Sequence, residues 1–130
     1  MSAPSPVRKK PPLPPGAERR RFERFELFAQ VELEVDGDVL VLPIINISAG
    51  GLLLRAEQGE ASALQVDDRV TVHLDISDIP APITVTMDAS VVRVVTAEGA
   101  PTKVAVMWTS TDAMAVLRLA ELLEYLRSRE

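Results

Sequence analysis

From Phe25 onward, apolar and polar residues alternate. In FELFAQVELEV (25–35), Phe25, Leu27, Ala29, Val31, Leu33 and Val35 fall on one side, with Glu26, Gln30, Glu32 and Glu34 on the other. That period of two belongs to a strand with one buried face. Asp36-Gly37 supplies the positive-φ pair of a tight hairpin turn, and VLVLPIINI (39–47) returns as a second strand, with Pro43 marking an edge or a bulge. After SAGG comes a third apolar run, Leu52–Leu54, and then a polar loop from Glu57 to about Asp68. RVTVHLDI (69–76) alternates Val70, Val72, Leu74 and Ile76 against Arg69, Thr71, His73 and Asp75, and ITVTMDASV (83–91) alternates in the same way. KVAVMW (103–108) is apolar on both faces, so its outer side needs a cover. The segment that follows offers one. Ser110, Thr111 or Asp112 can cap a helix whose Val116, Leu119, Leu122, Leu123 and Leu126 form an apolar stripe, with Arg127 and Arg129 at its C-terminal end. Six short strands and one terminal helix predict an all-β fold, a small six-stranded antiparallel barrel that closes its own edges, with a C-terminal α-helix.

The first 17 residues follow a different pattern. Six of the ten prolines lie in residues 1–16, a composition that removes backbone donors and favours polyproline II. Residues 1–17 are expected to form a flexible, Pro-rich, basic arm, with the folded domain spanning residues 18–130. PPLPP within the arm also suits an aromatic groove, although a solvated spacer is the simpler expectation. The chain has no cysteine, which excludes disulfides, thiolate zinc sites and thiol nucleophiles. It has no run of about 18 apolar residues and no apolar signal-peptide core. The expectation is therefore a cytoplasmic protein without a membrane span.

Charge changes the picture further. Residues 1–24 hold seven Lys or Arg against two Glu, whereas the remaining residues hold seven basic and 17 acidic side chains. A basic arm on an acidic body points to an anionic partner, and a small, concentrated anion suits such a body better than a long nucleic acid, which it would repel. No strand shows the aromatic and basic interleaving of a base-stacking platform.

Catalysis finds no support. The one histidine, His73, sits on the polar side of a strand without a neighbouring nucleophile, and Glu32, Glu34, Asp36 and Asp38 lack the spacing of a calcium loop. No metal site is expected, and Met87, Met107 and Trp108 are expected to be core or helix-contact residues. Two segments stand out instead. In ERRRFERF (18–25), Arg20 and Arg24 are spaced four apart where the arm enters the first strand. In NISAGG (46–51), Asn46, Ser48 and Gly51 lie where one strand turns into the next. Arginine forks match phosphate oxygens and also the O6 and N7 acceptors of guanine. Asn46 donates and accepts, Ser48 donates, and the glycines let backbone N–H groups approach a ligand. Taken singly, each segment also fits a basic linker or a local turn.

Arg20-x-x-x-Arg24 followed by Asn46-x-Ser48-x-x-Gly51 and LLL resembles the bipartite signature of PilZ domains, bacterial receptors for cyclic di-GMP, with Asn46 in place of the more frequent Asp. The resemblance covers residues 18 to about 127. It implies that Arg20 and Arg24 clamp guanine edges and phosphates, that Asn46 and Ser48 contact the nucleotide from the barrel, and that Gly51 keeps the turn open. It also makes Arg19 a ligand residue, since a basic residue there goes with two intercalated ligand molecules. The implied function is a non-enzymatic cyclic di-GMP receptor that signals to an unidentified downstream protein and needs no cofactor. Two alternatives remain: a PilZ-like protein-interaction module acting without nucleotide, and a nucleic-acid binder using the basic arm. A homodimer through the leucine-rich terminal helix is left open.

Overall fold

The hairpin at Asp36-Gly37 forms as the sequence predicts. In the computed structural model, which describes residues 22–77 and 79–129, both residues hold positive φ (52° and 84°) between β2 (Gln30–Val35) and β3 (Asp38–Ser48). β3 also pairs with β4 (Gly51–Ala56), β4 with β7 (Ala100–Trp108), β7 with β6 (Ile83–Ala97), and β6 with β5 (Arg69–Ile76), which returns to β2. Every pair is antiparallel, so six strands close on themselves. A seventh, short strand, β1 (Arg24–Glu26), lies against the far end of β3.

The segment read as one strand over 25–35 is thus divided. Arg24 faces Ser48 but Gln30 faces Pro43, a register slip of one residue that residues 27–29 absorb. The Ala29 N–H donates to Leu27 O (3.1 Å), and the Ile44 N–H donates to Ala29 O (2.9 Å). Such a bulge bends a strand without disturbing the alternation on either side of it. Phe25, Leu27, Val31, Leu33 and Val35 are all buried, whereas Phe28, at the bulge, is 98% exposed.

Inward residues of all six strands fill the barrel, among them Leu33, Leu42, Leu54, Val72, Val85, Val91 and Val104. The polar loop after β4 carries one helical turn, α1 (Gln58–Ala61). The terminal helix α2 (Ala113–Ser128) is capped by Asp112, whose Oδ2 accepts the Ala115 N–H at 3.1 Å. Its placement corrects the sequence expectation. The Thr109 and Ser110 N–H groups both donate to Asp88 O of β6 (2.9 and 3.2 Å), which turns the chain away from β7 before the helix starts. Ala115, Leu119, Leu122 and Leu126 then pack against β6 and β1, and Val116, assigned to the stripe, is 46% exposed. At the far end, Arg127 Nη2 lies 3.2 Å from Glu23 Oε1, with the guanidinium 5.9 Å from the centre of the Phe25 ring. The outer side of β7 is left without the predicted cover, and Met107, expected to be buried, is 51% exposed.

Candidate functional site

The β3–β4 turn is held from both sides. Within it, Ser48 Oγ accepts the N–H groups of Gly50 (3.1 Å) and Gly51 (3.3 Å). From β7, Trp108 Nε1 donates to Ser48 O (3.0 Å), and the Trp108 N–H donates to Gly50 O (3.0 Å). Both acceptor positions of the Ser48 hydroxyl are thereby used. Among the described residues, the hydroxyl itself donates to Gly51 O at 3.5 Å, a long hydrogen bond that an anion can displace. Gly51 has a steric role. Among the described residues only Gly37 and Gly99 are glycines with positive φ, so Gly51 is not there for a left-handed backbone. A Cβ on Gly51 would instead collide with the Val106 carbonyl oxygen, because β7 passes directly against it.

Strand register brings Arg24 of the first motif against the second. Arg24 stands opposite Ser48, and Glu26 stands opposite Asn46. Arg24, Asn46, Ser48 and Gly51 line one open groove of about 730 Å³, together with Phe22, Trp108 and the outward residues Leu53, Ala105 and Met107. Phe22 lies over Gly50, leaving no room for a Cβ there without moving the ring. Arg19 and Arg20 fall outside the described residues.

The groove also holds residues that the motifs do not include. Arg93 lines it from β6, beside Val92. The run VVRVV (91–95) carried the signal, since one charge interrupts a β-branched run where alternation breaks. Among the described residues, neither Arg24 nor Arg93 forms an ion pair, and no carboxylate lines the groove. Two guanidinium groups unpaired among the described residues, a hydroxyl with only a long hydrogen bond and an apolar floor are chemically suited to an anion that carries a flat, weakly polar part.

A second groove of about 740 Å³ lies between β1, the Phe28 bulge, Ile79 and the last turns of α2, and Arg24 lines it too. His73 is remote from either. Its Nε2 lies 3.4 Å from Glu34 Oε1 and its Nδ1 3.3 Å from Thr86 Oγ1, on the polar face of β2, β5 and β6. Among the described residues, no group of three or more His, Cys, Asp or Glu could hold a metal ion, and no helix is long and apolar enough to cross a membrane.

Solved structures with the same barrel are numerous. The inhibitor of motility MotI/DgrA of Bacillus subtilis superimposes with a TM-score of 0.70 at 19% identity, over 85% of this chain and 51% of that one. The PilZ domain of YcgR from Escherichia coli, solved with c-di-GMP, gives 0.69 at 14% identity, over 85% and 93%. MrkH of K. pneumonia, in its c-di-GMP complex, gives 0.64 at 20% identity, over 85% and 53%. The chain thus spans about half the length of MotI/DgrA and of MrkH. Among curated protein sequences none matches it. The family model described as PilZ domain matches residues 18–126, both sequence motifs included. Since that match takes in every strand of the barrel and nearly all of α2, the chain belongs to the PilZ domain family.

Proposed function

We propose that this chain is a cyclic di-GMP receptor that holds the nucleotide in the groove between β1, the β3–β4 turn and β7, and passes the signal to another protein. The observation that carries this reading is the register of β1 on β3, which sets Arg24 opposite Ser48 beside an apolar floor. A sequence neighbour of the arm is thereby joined to a turn more than 20 residues away. Arg24, with Arg20 and Arg19 preceding it in sequence, supplies forks for phosphate and guanine. Asn46 offers its amide, and Ser48 donates its hydroxyl proton to a phosphate oxygen in place of the long bond to Gly51 O. Gly51 acts indirectly, by letting β7 and Trp108 close on the turn. Family membership supports the same ligand, and the YcgR domain and MrkH were solved with it. The role that fits a member of this family is that of an adaptor which changes its contacts on binding.

Calorimetric titration of the full chain with cyclic di-GMP, with GTP and cyclic di-AMP as controls, tests the reading. Saturable binding of cyclic di-GMP in preference to both controls is expected. Equal affinity for all three, or no binding, would reject it.

A further inference from the structure

Arg93 is the one cation lining the groove, among the described residues, that neither motif contains. Its orientation depends on an irregularity in β6. Val91 faces the core opposite Val106, and strict alternation would send Arg93 inward as well. A register shift between Val91 and Arg93 inserts Val92 as an extra residue, so that Arg93 pairs with the outward Ala105 while Val94 packs against the core. The bulge therefore converts an arginine that would be buried into one that faces the groove.

Glu26, Asn46, Leu53, Ala105 and Arg93 are successive cross-strand partners on β1, β3, β4, β7 and β6, forming one row across the outer surface. Three strand spacings, roughly 14 Å at about 4.8 Å each, separate Asn46 from Arg93. Between them lie Leu53 and Ala105, with Gly51 and Met107 alongside, none of which offers a strong hydrogen-bonding side chain. A hydrated phosphate gains nothing on such a floor, whereas the flat face of a base does. A base lying there turns its edge to a rim, and a guanidinium fork fits the O6 and N7 acceptors of guanine, while adenine presents a donor in place of O6.

From this geometry we infer that Arg93 reads the guanine edge of the bound nucleotide and is a specificity-determining residue of the site, held on the barrel rather than on the arm. The inference rests on the cyclic di-GMP reading. It is tested by titrating the full-length chain, Arg93→Ala and Arg93→Lys with cyclic di-GMP and with cyclic di-AMP, alongside thermal unfolding of each. Arg93→Ala should weaken cyclic di-GMP binding by about tenfold or more and leave cyclic di-AMP binding nearly unchanged, so that discrimination collapses. Arg93→Lys keeps the charge but loses the fork, and should discriminate no better than the alanine variant. Unfolding midpoints should not move, because the residue is exposed. Equal weakening towards both nucleotides, or full rescue by lysine, would mean that Arg93 acts only as a charge and would overturn the inference. An unchanged affinity in Arg93→Ala would overturn it too. In each of these cases the receptor reading would stand, whereas a parent chain that binds neither nucleotide overturns that reading and this inference together.

Discussion

At Arg24, Ser48 and Gly51 the same turn makes three different demands on a side chain, and substitution should separate them. Arg24 is exposed and in no ion pair among the described residues, so Arg24→Ala should leave the unfolding midpoint in place. Loss of a charge-assisted hydrogen bond, about 1.5–3 kcal/mol, should weaken cyclic di-GMP binding roughly ten- to hundredfold in a titration. Gly51→Ala should behave in the opposite way. Its Cβ has no space against the Val106 carbonyl, and forcing β4 from β7 should cost about 1–3 kcal/mol, read as a lower unfolding midpoint with or without ligand. Ser48→Ala lies between the two, since it removes both the acceptor for two turn N–H groups and the proton offered to the ligand, and should lower midpoint and affinity together. The family resemblance implies that Gly51 keeps the turn open, whereas the structure shows a steric requirement, because a Cβ there would meet the Val106 carbonyl of β7. Nothing local to SAGG reveals that β7 runs against it, because that strand lies about 50 residues further on.

Elements were legible where a single period governs them and illegible where a distant hydrogen bond or a bulge decides. Alternation correctly assigned the inward residues of β2, β5 and the first half of β6, since a slip of one residue would turn every buried side chain to solvent. It did not show the bulge at 27–29, which spares the alternation on both sides, and the reading of β6 ended at Val91, one residue before the bulge that brings Arg93 into the groove. The helix was found with its cap, but its destination was not, because two N–H groups bonded to Asp88 O steer it and no periodicity records them. That error is informative. The apolar outer face of β7 needed a cover, α2 packs on β6 and β1 instead, and the face it leaves is the floor of the candidate site. If α2 closes the barrel against β6 and β1, its buried side should matter far more than its cap. Leu122→Ala, at a fully buried position, should cost about 2–5 kcal/mol, against about 1 kcal/mol for Asp112→Ala, as measured by denaturant unfolding.

Charge is distributed over the whole molecule so that one face differs from the rest. Glu32, Glu34, Asp75 and Asp88 project from the outer side of β2, β5 and β6, in a body with 17 acidic side chains beyond residue 24. Among the described residues, the groove is lined by Arg24 and Arg93 and by no carboxylate. A compact dianion can sit in that groove without meeting the acidic faces, whereas a long nucleic acid must extend from it and run along them. The basic residues before Phe22 add attraction for either ligand, so net attraction alone does not choose between them. Salt does. A polyanion held by several cations releases many counterions, and its affinity should fall steeply with ionic strength, while a dinucleotide read by hydrogen bonds and stacking should lose much less. In a competition assay at about 50 and about 200 mM salt, labelled cyclic di-GMP should be displaced by unlabelled cyclic di-GMP at both concentrations. Single-stranded DNA should compete weakly at the lower concentration and hardly at all at the higher one. Displacement by DNA that matches or exceeds displacement by the dinucleotide would show instead that the acidic body does not exclude the polymer, and the basic N-terminal segment would then be the binding element.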